Sequence, residues 1–360
     1  MKKAAVLFLI ILITTPVRAD DYNKLDSFGI TEAGFTFSDA VNSMTDGHQI
    51  VKANEMWPKI YEIAVSEINT NLSAVSVIFA LSFLLAVFST SRHRFKGGEN
   101  AAFLSVYMII TGIITSAFGE ISKLGISLIQ NTVLFLNSVI PILGTAIAGS
   151  AGAGVFASLS PQILIFSSLC GNLIKSIGMP AVYFSFGLSL IGNLSPHYST
   201  ASLAKVIRST ALWIVSGAVT IFSAVVSVSG MSCSSLNAAA LKSAKFAVSG
   251  LVPVLGSLMT DSIEAVAGGA VVIKNIIGSA GILFIFFSVL FPVIKIASVI
   301  FIYKISSALI GTFGDKRITS VLDNMAGVLS AITGFIIACS VSCIISLSVL
   351  LGASNLGGAL

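Results

Sequence analysis

The sequence predicts an all-α, polytopic membrane protein with about six or seven spans behind a cleaved signal peptide. Three observations carry this. The chain is 55% hydrophobic and only 10% charged, with a mean hydropathy of +0.99, far too little charge to coat a soluble domain of 360 residues. Its apolar residues fall in long runs, the pattern of membrane helices. At the N-terminus, Lys2-Lys3, the apolar run Ala4–Ile13 and the small residues Val17 and Ala19 form a secretory signal with cleavage after Ala19. That run is too short to span a bilayer, so it reads as a signal and not an anchor. A signal of this kind places the mature N-terminus outside the cytoplasm.

Charge divides the chain. Residues 20–71 carry nine acids against three lysines, and residues 72–360 carry fourteen basic residues against six acids. The net charge of +5 therefore reflects basic loops beside membrane spans plus an acidic outer segment, and is not a nucleic-acid signal. The domain reading is a signal peptide over 1–19, an acidic extracytoplasmic segment with an amphipathic helix over 20–71, and a polytopic membrane domain over 72–360.

Residues 20–50 are polar and without a sustained period, which predicts loose order. A helix is expected from Asn54, with Pro58 in its first turn and Trp57, Ile60, Tyr61, Ala64 and Ile68 on one side. The first span is expected over about Leu72–Ser89. The basic cluster Arg92-His93-Arg94-Phe95-Lys96 follows, and is placed in the cytoplasm by the positive-inside tendency. A second span is expected over about Ala101–Phe118. Residues 124–193 are apolar but broken by Pro141, Pro161, Pro180 and the run Gly149–Gly154 into two arms. Three later spans are expected over about Thr210–Val228, Gly278–Ile302 and Gly327–Leu351. Segment 194–208 reads as a short basic amphipathic stretch, with Lys205 and Arg208 opposite Leu203, Val206 and Ile207. If 194–208 and 303–317 are both cytoplasmic, 124–193 must cross an odd number of times despite its two arms. One arm is then re-entrant, or the charge rule fails at 194–208.

No catalytic constellation is visible, so no enzymatic activity is expected. His48, His93 and His197 lie in separate polar segments without ligand spacing, and there is no phosphate-binding loop, nucleophile elbow or zinc-protease motif. No cofactor is expected. Cys170, Cys233, Cys339 and Cys343 all lie outside the acidic segment, which argues against a disulfide framework. Cys339 and Cys343 share a helix face, a pattern more common for small buried residues than for a metal or redox pair.

Four polar residues are candidates for function. Asp261 and Glu264 sit three apart beside the Pro253 and Gly256 breaks, and Lys274 follows about three turns on. They read either as a polar patch lining an aqueous cavity or subunit contact, or as a helix start with Asp261 capping and Glu264 completing a capping box. Lys175, and Lys295 with it, lies inside an apolar arm, where it contacts a pathway or a carboxylate, or snorkels to an interface; snorkelling is the preferred reading. Small residues concentrated in 142–158 and 266–281 favour tight packing or homo-oligomerisation.

Four stretches give a further lead: S-V-I-P-I-L-G-T at Ser138–Thr145, V-P-V-L-G-S-L-M-T-D at Val252–Asp261, V-I-K-N-I-I-G at Val272–Gly278 and F-P-V-I-K-I-A-S-V-I-F-I-Y-K at Phe291–Lys304. In these, and in their order behind a signal peptide, the chain resembles the stage III sporulation protein AE family of endospore-forming bacteria. The resemblance covers most of residues 72–355. It implies a role in sporulation as a polytopic protein of the mother-cell membrane around the forespore. The implied partners are the other membrane proteins of the same operon, in a channel or secretion-like complex. A separate secretion-type ATPase is implied as the motor, which suits a chain without a nucleotide site. The resemblance supplies no catalytic residues. The competing reading is a stand-alone small-solute transporter, for which broken segments near Pro141–Pro180 and Pro253–Gly269 are a weak hint without a clear repeat.

Overall fold

The computed structural model describes residues 25–28, 36–46, 53–90, 98–147, 153–194, 200–251 and 256–355. Within these, side chains are described for 25–28, 36–46, 57–87, 101–147, 154–194, 200–232, 269 and 271–354. The signal peptide, the Arg92–Lys96 cluster and the histidines His48, His93 and His197 lie outside the described residues, as do the side chains of Cys233, Asp261 and Glu264.

Every regular element among the described residues is helical. A short helix α1 (Phe37–Thr45) precedes α2 (Ala53–Thr90) and α3 (Gly98–Ile147). Helices α4 (Ala153–Leu173) and α5 (Met179–Gly192) join through a π-helical turn at Ile174–Gly178 and act as one rod. They are followed by α6 (Ala201–Leu251), α7 (Gly256–Ile310) and α8 (Lys316–Asn355). Among the described residues, six segments are long and apolar enough to cross a membrane: α2, α3, the α4–α5 rod, α6, α7 and α8. The chain is an all-α polytopic membrane protein.

The structure removes the conflict over 124–193. The expected second span and the first apolar arm are one 50-residue helix, α3, and the second arm is the α4–α5 rod. Segment 124–193 therefore holds the end of one crossing and the whole of the next. Glu120 and Lys123, between the expected second span and the first arm, sit on an unbroken helix. Pro141 and Pro161 do not break theirs either. A proline forfeits one backbone hydrogen bond, which packing against neighbouring helices tolerates in a membrane bundle.

Helix α8 lies at the centre. It packs against α3, the α4–α5 rod, α6 and α7, and 56% of its most apolar window is buried, against 17% for the peripheral α2. Met325, Leu329, Ile332, Phe335 and Leu347 along it are fully enclosed. Lipid tails are as apolar as leucine, so contact quality and not dehydration holds such helices together. A Cβ on Gly125 of α3 would come within 2.7 Å of Ile332 Cγ2, so glycine lets α3 lie close against the central helix. Polar contacts add orientation. Ser167 Oγ donates to Asn137 Oδ1 (3.0 Å) between α4 and α3, Ser185 Oγ to the Ala204 carbonyl (2.7 Å) between α5 and α6, and Ser307 Oγ to the Thr319 carbonyl (3.1 Å) between α7 and α8.

Of residues 20–50, expected to be loosely ordered, 25–28 and 36–46 are described, and these are ordered against the bundle. Thr36 and Asp39 form a reciprocal capping box at the start of α1. Asp26 accepts from the Ser38 amide (3.0 Å) and hydroxyl (2.7 Å). Phe37 is wholly buried and meets Phe135 of α3 and Phe284 of α7 edge-on, with ring centroids 5.6 and 6.1 Å away. Phe37, Ala40, Val41 and Met44 form one helical face against the core, but the run is a single short helix in a polar stretch, a weak signal in the sequence.

Candidate functional site

The polar side chains form separate groups along the bundle. At one end, α8 starts at Lys316 after the turn 311–315. Arg317 forks onto Asp315, with Nη2 to Oδ2 at 2.7 Å and Nε to Oδ1 at 3.1 Å. Its guanidinium carbon lies 3.3 Å from the centre of the Phe103 ring, which fixes the start of α3 beside the start of α8. Burial alone would raise the Asp315 carboxyl. The hydrogen bonds and charge of Arg317 outweigh that and hold it below the usual carboxylate range. Nearby, Tyr107 Oη donates to the Leu190 carbonyl (2.5 Å), tying α3 to α5. Arg208 donates from Nη1 to the Asn324 carbonyl (3.3 Å). Residues 201–208 of the amphipathic stretch expected at 194–208 start α6, where Lys205 is exposed as expected but Arg208 turns inward while Leu203 and Val206 are exposed.

Halfway along the bundle lies a second group. Lys295 Nζ of α7 is 3.5 Å from Glu67 Oε2 of α2. The carboxylate alternative for Lys295 is the one the structure realises, in place of the preferred snorkelling. Ile60 and Ile63, with Glu67, form the inner side of α2 against Phe287 and Phe291. Of the residues expected together on one side of this helix, Ile60 packs inward while Trp57 and Tyr61 are 73% and 71% exposed. Pro58 is also inside α2 and not in its first turn, because the helix begins at Ala53.

Glu120, Lys123 and Lys175 are exposed, and the contacts of Ser167 with Asn137 and of Phe186 with Phe118 set Lys175 about 13 Å along the bundle from Glu120. Gly125 abuts Ile332, Gly178 abuts Phe335, and these fall within about two turns of the three charges. Lys175 itself sits in the π-helical turn. Such turns add a residue to a helix and re-aim the side chains around them.

The structure does not bring the four candidate residues together. Lys274 is completely buried, one turn from Gly278, which packs on Leu351 near the far end of α8. Lys175 is exposed near the middle of the rod, about 25 Å lower along the bundle. Asp261 and Glu264 belong to α7. That helix begins at Gly256, so Asp261 stands in the second turn and not at the N-cap that the capping reading required. The Cys170 thiol on α4 meets Cys339 on α8, and Cys339 also meets Cys343, with both α8 cysteines buried. Among the described residues no cluster of histidine, cysteine or carboxylate side chains is arranged to hold a metal ion. The arrangement is that of charges which position helices and mark surfaces.

Sequence reasoning missed the Glu67–Lys295 pair, the Phe37 anchor, the inward Arg208 and the exposed Glu120–Lys123 group. Only the last had a readable signal, two charges one turn apart inside an apolar stretch.

Among the described residues, six helical segments long and apolar enough to cross a membrane define a polytopic membrane protein. The family model for stage III sporulation protein AE matches residues 35–354, and the chain belongs to that family. It is similar to stage III sporulation protein AE of Bacillus subtilis (strain 168), at 26% identity over 313 residues covering 86% of this chain and 78% of that protein. No solved structure matches it. The family assigns the chain a role in sporulation, as the resemblance implied.

Proposed function

We propose that the chain is a membrane subunit of the channel or secretion-like complex joining mother cell and forespore, required at the third stage of endospore development. It resides in the mother-cell membrane around the forespore, the outer forespore membrane. It works with the other membrane proteins of its operon, while a separate secretion-type ATPase supplies the driving force. The observation that carries this reading is the family match over residues 35–354. Two others support it. The sequence has no nucleotide-binding motif, so driven transport needs a second protein. The axis of the bundle is filled by α8, continuous from Lys316 to Asn355.

That filled axis also weighs against a stand-alone solute transporter. Such proteins place their substrate at the membrane midplane between broken helices. Here the midpoint of α8 is unbroken and carries the enclosed side chains Leu329, Ile332 and Phe335. A conducting path therefore runs between this chain and its neighbours.

The test is purification of the tagged chain from sporulating cells in mild detergent. Co-purification with the operon's other membrane proteins is the expected result. A chain recovered alone, with those proteins present in the same extract, overturns the reading.

A further inference from the structure

The central helix α8 is not enclosed on every side. Close contacts fix the direction of each neighbour. Leu212 and Gly230 of α6 meet Gly334 and Val349, Gly178 beside the rod's π-helical turn meets Phe335, and Gly125 of α3 meets Ile332 and Ile336. Gly278 and Gly281 of α7 meet Leu351 and Leu347. At 3.6 residues per turn these directions run round α8 in the order α6, rod, α3, α7, and leave about 140° open between α7 and α6. The exposed residues of α8 all fall in that sector, from Lys316 and Asp323 through Ser330, Ile337 and Val341 to Gly352. Among the described residues, α8 is therefore the floor of a groove whose walls are α6 and α7.

One mouth of the groove is cationic. Ser307 of α7 donates to the Thr319 carbonyl, and Arg208 of α6 donates to the Asn324 carbonyl. These contacts bring exposed Lys304 and exposed Lys205 within about one turn of Asp323. Both lysines stand on the groove side of their helices. Lys304 is nine residues, half a circle, from Lys295, which faces α2. Lys205 follows Ala204, which faces α5, and so falls on the other flank of the α8 contact. Lys316 adds a third ammonium about two turns from Asp323. Three lysines against one carboxylate leave this mouth with a net charge of +2. No ion pair among the described residues involves any of the four. The mouth lies at the end where α2 stops and α3 starts. The positive-inside tendency assigns that end to the cytoplasm, whose leaflet carries anionic lipid.

Beyond the mouth the groove suits hydrocarbon. Ile337 and Val341 on its floor are 44% and 45% exposed. The Ser330 hydroxyl turns back to the Ala326 carbonyl at 2.8 Å, so its proton is already used within the helix. From Ser330 to Val341 is about 16 Å. That is close to half of a hydrocarbon core of about 30 Å, the depth of one leaflet.

We propose that this groove binds an anionic phospholipid, its phosphate held by Lys205, Lys304 and Lys316 and its acyl chains laid along Ile337 and Val341. Asp323 repels a phosphate from the floor, so the headgroup sits at the tips of the lysines. The lipid covers the open side of the central helix. The inference needs the bundle in a bilayer and is independent of the complex that the chain joins.

The test titrates the purified full-length protein, in mild detergent, with phosphatidylglycerol or phosphatidylcholine and follows the thermal midpoint. Phosphatidylglycerol should reach half its effect at a concentration at least fivefold lower. Inorganic phosphate alone should do nothing. Lys205→Gln, Lys304→Gln and Lys316→Gln together should abolish the preference, and the three Arg substitutions should keep it. Lys59→Gln with Lys123→Gln, at exposed lysines on other helices, should leave it unchanged. Ser330→Trp, which fills the groove and spares the charges, should weaken phosphatidylglycerol binding. No preference in the wild type overturns the proposal. So does a preference that survives the triple Gln variant, or an equal response to inorganic phosphate. A photo-crosslinking residue at position 330 that captures a protein in place of lipid in sporulating cells overturns it too.

Discussion

Glu67 and Lys295 face each other at 3.5 Å across α2 and α7, and they set the register of two parallel helices from opposite ends of the chain. Below them Phe313, in the turn after α7, stacks edge-on against Phe79 and Phe83 of α2, with ring centroids 5.2 and 5.8 Å away. Above them Phe287 and Phe291 receive Ile60 and Ile63. The ion pair lies between these apolar contacts of the seam. A slide of one turn would bury both charges against hydrocarbon.

That arrangement predicts a charge-swap result. Lys295→Glu should lower the thermal stability of the detergent-solubilised protein, and Glu67→Lys should do the same. The double swap should recover most of the loss. The lysine side chain is 34% exposed, so the coupling should be modest, about 0.5–1 kcal/mol. A double swap no better than the worse single variant would show that the pair carries no register.

Phe37→Ala should undock α1. The ring is wholly buried between Phe135 and Phe284, and truncating such a phenylalanine costs about 3–5 kcal/mol. Because α1 caps the bundle without belonging to a span, the six long helices should stay assembled. Limited proteolysis should therefore cut near residue 46 in the variant and not in the wild type, with the core fragment preserved. Equal cleavage of both would mean that the ring does not hold α1.

Much of the bundle was legible in the sequence, and the failures have physical causes. The later spans were found because their apolar runs contain few interruptions, and α8 encloses the expected Gly327–Leu351 span whole. The expected end of the second span at Phe118 failed because the charged residues Glu120 and Lys123 beyond it lie on the same helix. A helix ends where its backbone loses partners, not where a charge occurs, and α3 continues to Ile147. Inward Arg208 was misassigned because amphipathicity was judged on residues 194–208 alone. Its acceptor, the Asn324 carbonyl, belongs to a helix far along the chain. Of the candidate site, the isolation of Lys175 in an apolar arm was visible, but its outward aim depends on the π-helical turn, which sequence patterning does not reveal.

Asp315 predicts a window of acid sensitivity. Arg317 holds its carboxyl below the usual value, so the ionised form is favoured by the folded state. The stability this supplies is complete above the unfolded carboxylate pKa of about 3.9 and is lost as pH falls through the lower folded value. Between pH 7 and about 5, stability should therefore be insensitive to this site. Asp315→Asn should destabilise the protein at neutral pH, and its deficit relative to wild type should shrink as pH drops below about 4. A deficit that grows on acidification contradicts the assignment.

Processing and orientation can be read in one preparation. The signal pattern at Lys2–Ala19 predicts a mature chain beginning at Asp20, detectable by N-terminal sequencing. In a chain stripped of its own cysteines, Thr45→Cys on the exposed end of α1 should react with an impermeant thiol reagent in intact cells. Gly98→Cys, beside the basic cluster at 92–96, should react only after the membrane is opened. Reversed labelling would invert the topology.

The acids of α7 give the most direct test of function. Asp261 and Glu264 stand three apart near the start of a 55-residue helix. Replacing them with Asn and Gln keeps side-chain shape and much of the hydrogen-bonding capacity while removing two negative charges. Since α7 begins at Gly256, neither residue is the cap, and the substitution should spare the cost of about 1 kcal/mol that losing a cap brings. The double variant should therefore accumulate in the membrane at wild-type levels. If the two charges hold a partner or line an aqueous path, its spore yield should fall at least tenfold. The single variants separate the roles: a partner contact should depend mainly on one acid, whereas a charged lining should lose function in steps. Wild-type spore counts from a normally abundant double variant would remove these residues from the functional surface and leave Lys175 and the mid-height charges as its remaining candidates.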